Sequence, residues 1–161
     1  MPETAPSPGC PEIVAKLIDL GQSLSTAESC TGGLIAHSVT DVAGSSACFL
    51  GGIVAYSNEA KMRFANVAKA TLIAHGAVSE AVARELAMGA KSAFESSWAV
   101  GVTGIAGPGG GTKEKPVGLV YIGIAGDDVL EVVRHEFSGS RQAIKQSTAN
   151  AALAMLWSHL S

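Results

Sequence analysis

The chain has 161 residues, 47% apolar and 16% charged, which is enough for one domain with a sizeable core and too little for two. A formal net charge of −3 offers no bulk attraction to nucleic acid or an anionic membrane surface, so neither is expected as a partner. Cys10, Cys30 and Cys48 form no CxxC pair, and the odd count argues against a disulfide framework and for a reducing, cytoplasmic setting.

Residues 1–9 carry three prolines and no basic region ahead of a long apolar core, and read as a disordered tail before a single domain over 10–161. Pro11 then suits the first turn of a helix, with Ile13, Leu17 and Leu20 facing inward before Gly21 ends it. Leu24–Glu28 predicts a short strand, and Gly33–Thr40 a helix that buries Leu34, Ile35 and Val39. Phe49–Tyr56 is a β-rich run interrupted by Gly51 and Gly52, which signals a bulge or a close backbone approach. Ser57 or Asn58 caps a helix carrying Lys61 in about its first turn, and a second short helix follows over Lys69–His75.

Ser79 caps a long helix to about Phe94 with Val82, Leu86 and Ala90 on one face. A strand at Trp98–Thr103 leads into a glycine-rich loop that runs to Pro116. Val117–Ala125 and Val129–Phe137 flank Gly126-Asp127-Asp128, a hairpin signal that makes these two strands antiparallel. Ser140 caps the last helix, with Ala149, Leu153, Leu156 and Leu160 along one stripe. Helices alternating with strands and ending in a hairpin predict a three-layer α/β/α domain with a mixed sheet.

Three segments carry the chemistry: Ala27-Glu-Ser-Cys-Thr-Gly-Gly33, Gly44-Ser-Ser46 leading to Tyr56-Ser-Asn-Glu-Ala-Lys61, and Thr103-Gly-Ile-Ala-Gly-Pro-Gly-Gly-Gly111. Each places small polar groups at the end of an apolar run, where open α/β sheets bind ligands. The glycine loop contains neither GxxxxGK[ST] nor a GxGxxG opening a helix, so P-loop chemistry is not indicated. The four histidines are scattered without ligand spacing, and no metal or cofactor is expected. What remains is a hydroxyl or thiol nucleophile served by a lysine. Cys30 is the candidate thiol, although a small buried filler is the favoured reading of its position, and Ser29 and Thr31 also suit helix capping. Ser46 precedes a strand and Lys61 follows it, so their meeting in one subunit does not follow from sequence.

AESCTGG at 27–33, YSNEAK at 56–61, GAVSE at 76–80, TGIAGPGGG at 103–111 and KPVG at 115–118 together resemble the C-terminal domain family of the competence-damage-inducible protein CinA. The resemblance covers roughly residues 12–158 and implies an amidase that hydrolyses the carboxamide of nicotinamide mononucleotide to nicotinate mononucleotide and ammonia. Carried over by motif position, it makes Ser46 the nucleophile, Lys61 its base, and Tyr56 the group that orients the pair. Thr103 and the backbone of Gly104 would donate to the oxyanion. Glu28, Ser29, Thr31, Gly32, Asn58, Gly104, Gly107 and Arg141 would hold the substrate. The glycine-containing segment around Gly51 suggests pairing between copies, so a homo-oligomer is expected. A catalytically silent nucleotide-binding or protein-interaction domain of the same fold is the alternative.

The chemistry sets one condition. A lysine with an ordinary pKa near 10.4 is neutral only about once in 2,500 at pH 7, so a basic Lys61 requires burial or a nearby cation.

Overall fold

The structure, a computed structural model, describes residues 8–160. The tail expected at 1–9 therefore falls largely outside it, and Gly9 is the N-cap of the first helix. Helix α1 (Cys10–Asp19) has Pro11 in its first turn, where a missing N–H costs no helical bond, and buries Ile13, Val14 and Leu17. Leu20, expected to face inward, lies past the helix end and is exposed, because the chain turns away at Gly21 with φ 64°.

Strand β1 (Leu24–Glu28) is buried along its whole length, as a strand covered on both faces must be. Helix α2 (Leu34–Thr40) and a 3₁₀ turn at Ser45–Ala47 lead to β2 (Phe49–Val54). Three further helices are α3 (Asn58–Ala65), α4 (Lys69–His75) and α5 (Glu80–Phe94). Strands β3 (Trp98–Gly104), β4 (Leu119–Ala125) and β5 (Leu130–Glu136) precede α6 (Arg141–Ser158). Ser57, Ser79 and Ser140 each accept the backbone N–H three residues on, from Ala60, Val82 and Ala143, so one orphan donor is satisfied at the start of α3, α5 and α6.

The sheet runs β2-β1-β3-β4-β5. β1 is parallel to both neighbours, and β3, β4 and β5 are successively antiparallel. Leu24 faces Phe49 but Ser25 faces Gly51, leaving Leu50 as the extra residue of the irregularity that the paired glycines foretold. The run expected to reach Tyr56 stops at Val54, because β1 ends at Glu28 and offers nothing further to pair with. The strand expected from Val117 begins at Leu119, since Gly118 bends at φ 93° just before it.

On one face α1, α2 and α6 pack Leu17, Ile35, Val39 and Leu156 against Val100, Val102 and Ile122. On the other, α3 and α5 pack Ala65, Val82 and Leu86 against Ala27 and Ala99. These layers make the predicted α/β/α sandwich with its mixed sheet. Among the described residues, no helix is long and apolar enough to cross a membrane.

Helix α5 approaches the sheet closely where glycines lie beneath it. A β-carbon at Gly101 would collide with the backbone nitrogen of Ala87, and one at Gly123 would stand 2.8 Å from the carbonyl oxygen of Ala83. Gly101→Ala is expected to cost about 2–3 kcal/mol by forcing helix and sheet apart, lowering Tm by roughly 5–10 °C in thermal unfolding. A fall of less than about 2 °C would show that α5 lifts without cost.

Candidate functional site

All three parallel strands end on the same edge of the sheet. β1 delivers Ser29 and Cys30 there, β2 delivers Tyr56, and β3 delivers Thr103 and Gly104. A cleft of about 280 Å³ lies between these ends, closed by Asn58 and Lys61 of α3, Ala77 and Val78, the glycine loop, and Arg141 of α6. The connections from β1 lead to β2 on one side while β3 lies on the other, so the cleft occupies the switch point at which α/β sheets hold ligands. A larger cleft of about 820 Å³ lies at the opposite end of the sheet, lined by the end of α5 and the β4–β5 hairpin. Its ion pair, Lys91–Asp127 at 2.8 Å, has a mostly exposed aspartate and indicates a solvated surface.

Lys61 is the unusual group in the small cleft. Its side chain is 2% exposed, its Nζ donates to the carbonyl oxygen of Tyr56 at 2.9 Å, and among the described residues no carboxylate pairs with it. Burial pushes its pKa below the ordinary lysine value, opposed in part by the neighbouring Cys30. The condition set by the chemistry is thus met in direction by the fold.

Ser29 is 7% exposed, its N–H donates to the carbonyl oxygen of Val102 at 3.0 Å, and its own carbonyl accepts from Gly32 at 3.0 Å. Both backbone groups are fixed, and among the described residues its hydroxyl makes no hydrogen bond to protein. Cys30, also 7% exposed, has its thiol pushed up to about 11, chiefly by burial. Its neighbours Lys61 and Lys145 pull the other way without offsetting that cost.

Ser46 is not brought to this place. It is exposed in the turn that precedes β2, whereas Lys61 follows β2, and the six residues of that strand separate them by roughly 20 Å within the chain. The expected pairing of Ser46 with Lys61 is therefore corrected for a single chain: the two groups stand at opposite edges of the sheet.

Glu28 and Thr31 are present but turned elsewhere. The Glu28 carboxylate accepts from the Thr31 hydroxyl at 2.7 Å and from the N–H groups of Ile35 and Ala36 at 2.8 and 3.0 Å, and both residues are 1% exposed. They secure the start of α2 and hold the turn bearing Ser29, so neither reaches the cleft as a substrate contact. Gly32 is exposed in that turn, with φ 62°.

Thr103 lines the cleft, but its hydroxyl donates to the carbonyl oxygen of Ala77 at 2.8 Å, which leaves that proton committed. Tyr56 offers its carbonyl to Lys61 and its phenol oxygen to Arg141 Nη2 at 3.2 Å. Arg141 Nη1 also donates to the carbonyl oxygen of Gly107 at 2.8 Å, so this guanidinium ties α6, the glycine loop and the β2–α3 connection together at the rim. Asn58, Gly104 and Gly107 line the cleft as well.

Sequence reasoning left out Ala77 and Val78, although GAVSE was among the motifs that carried the resemblance. It also left out Lys145, whose place four residues after Arg141 puts both on one helical face. Among the described residues, no three His, Cys, Asp or Glu side chains are grouped to hold a metal ion.

A three-layer sandwich with a mixed sheet and a small polar cleft at the ends of its parallel strands defines an open α/β domain with its cleft at the switch point. The chain belongs to the CinA C-terminal domain family, whose model matches residues 10–160. A CinA-like protein of Syntrophomonas wolfei is 49% identical over 148 residues, covering 92% of this chain and 36% of that protein. A CinA-like protein of Geobacter sp. is 51% identical over 144 residues, 89% of this chain and 35% of that one. The chain thus spans about a third of the length of the curated relatives it matches. Among solved structures, the competence/damage inducible protein CihA of Agrobacterium tumefaciens superimposes with TM-score 0.88 at 41% identity, over 96% of this chain and 98% of that one. A CinA superfamily protein of Klebsiella pneumoniae gives TM-score 0.90 at 34% identity, over 94% of both chains.

Proposed function

We propose that the cleft hydrolyses the carboxamide of nicotinamide mononucleotide to nicotinate mononucleotide and ammonia, with Ser29 as nucleophile and Lys61 as its base. The observation that carries this reading is a buried lysine, lowered in pKa and without a carboxylate partner among the described residues, lining the same cleft as a serine whose hydroxyl makes no hydrogen bond to them.

Ser29 Oγ attacks the carboxamide carbon while its proton passes to the neutral Lys61 amine. The tetrahedral intermediate collapses with breakage of the C–N bond, and the Lys61 ammonium returns that proton to the leaving nitrogen, releasing ammonia. Water then attacks the acyl ester, giving a proton to Lys61 that ends on Ser29 Oγ as the acid departs. With the Thr103 hydroxyl committed to Ala77, oxyanion donors fall to backbone N–H groups. That of Cys30, directly after the nucleophile on a strand–turn–helix, holds the place such a donor takes in other folds of this design. The pyridinium ring helps twice: it disfavours an ammonium at Lys61 and withdraws electrons from the carbon under attack.

A thiol held near pKa 11 is a poor nucleophile at neutral pH, which favours Ser29 over Cys30. In an ammonia-release assay on nicotinamide mononucleotide, wild type is expected to turn over and Cys30→Ala to keep its kcat within about threefold. Loss of activity in a folded Cys30→Ala protein would move the nucleophile to the thiol. No turnover by wild type on any pyridine nucleotide would leave a binding domain of this fold.

Assembly of copies belongs to the same reading. β2 is an edge strand without charge or proline, and it exposes Leu50 and Val54, features that invite pairing with another edge.

A further inference from the structure

Helix α6 presents two cations to the cleft end of the sheet, one turn apart. Arg141 is tied to Gly107 and Tyr56 at the rim. Lys145 is half-buried, and among the described residues no carboxylate pairs with it. A β-carbon on Gly32 would stand 3.7 Å from its Nζ, which places the ammonium against the turn that carries Ser29 and Cys30. Its charge is felt at the Cys30 thiol, as is that of Lys61 from the other side.

The cleft lining supplies nothing to neutralise these charges. Its polar side chains are those of Ser29, Tyr56, Asn58, Lys61, Thr103 and Arg141, with no carboxylate among them, and Glu28 nearby is taken up by α2. Burial separates the roles of the two lysines. Lys61 is enclosed, and burial disfavours its ammonium form, whereas Lys145 is half-buried and keeps contact with water.

We propose that Lys145 and Arg141 together form the subsite for a phosphate monoester dianion, and that Lys145 sets the preference for a nucleotide over the corresponding nucleoside. The inference rests on the amidase reading above. Arg141 supplies a planar fork and Lys145 a compact point charge, a combination suited to a tetrahedral anion with several acceptor oxygens. The pyridinium is left without a protein counter-ion, so the phosphate of the substrate itself must balance the ring.

The test is Lys145→Gln assayed on nicotinamide mononucleotide and on nicotinamide riboside. KM for the mononucleotide is expected to rise about tenfold with kcat within about twofold, while kcat/KM for the riboside is unchanged. Lys145→Arg should restore most of the lost affinity. An unchanged KM, or equal losses on both substrates, would assign Lys145 to packing and overturn the proposal. If wild type released no ammonia from either compound, the amidase reading would fail. Calorimetry with ribose 5-phosphate would then decide: binding that weakens about tenfold in Lys145→Gln keeps the phosphate subsite, and equal or absent binding removes it.

Discussion

Ser29→Ala is expected to lower kcat for ammonia release by at least about 10³-fold, while Ser46→Ala leaves it within about twofold. The asymmetry follows from placement. Ser29 ends β1 inside the cleft that Lys61 lines, and its hydroxyl makes no hydrogen bond to protein among the described residues, whereas Ser46 is exposed at the far edge of the sheet. Removing the Ser29 hydroxyl deletes one oxygen and breaks no protein hydrogen bond, so Tm should move by no more than about 2 °C. That separation matters because a catalytic loss accompanied by unfolding would say nothing about chemistry. A Ser46→Ala protein that folds and loses activity would restore the pairing the motifs first suggested, with the base then contributed by another copy.

Replacing the enclosed amine should separate activity from stability. Lys61→Met is expected to lower kcat by about 10³-fold and yet to stabilise the fold by roughly 1 kcal/mol, a Tm rise of about 2–4 °C. Native burial disfavours the ammonium, so between the lowered native pKa of Lys61 and the ordinary lysine value the unfolded chain binds more protons than the folded one. Stability therefore rises with pH across that interval and is lost as pH falls toward the native pKa. Methionine fills much of the same volume without charge and should flatten this slope. Activity follows the same group: kcat/KM of wild type should climb with pH as Lys61 deprotonates, with the midpoint of that rise below pH 10.4. A fall in Tm for Lys61→Met would mean that the bond to the Tyr56 carbonyl outweighs desolvation.

The parts of the fold that were readable in the chain are those fixed by neighbours in sequence. Ser57, Ser79 and Ser140 announced helix starts because a capping hydroxyl needs only the amide three residues on. Gly126-Asp127-Asp128 announced the β4–β5 pair because a short turn leaves two adjoining strands little choice but to face one another.

The site was readable in its composition and misassigned in its geometry. Ser46 and Lys61 were paired only by motif position in the family resemblance, and the loop entering a parallel strand and the loop leaving it lie on opposite edges of a sheet. Glu28 was carried over as a substrate contact by motif position alone. Its carboxylate instead serves amides at positions 35 and 36, seven and eight residues away, an arrangement that exists only once the chain has turned at Gly32 and Gly33. Thr103 was placed at the cleft from sequence, but which carbonyl its hydroxyl would choose depended on a segment 26 residues earlier.

The close seating of α5 divides the cleft into a fixed wall and an adaptable one. With helix backbone resting on strand backbone at Gly101 and Gly123, the end of β3 has no slack to accommodate ligands of different outline. Any adjustment falls to the opposite bank, where Gly109 and Gly110 lie open to solvent between two tethers, the guanidinium bond to the Gly107 carbonyl and the bond that Lys115 donates to the His75 carbonyl. Differences between members of this family in what the cleft admits should accordingly be found in the sequence between Ile105 and Val117 and in the first turn of α6, and hardly at all beneath α5.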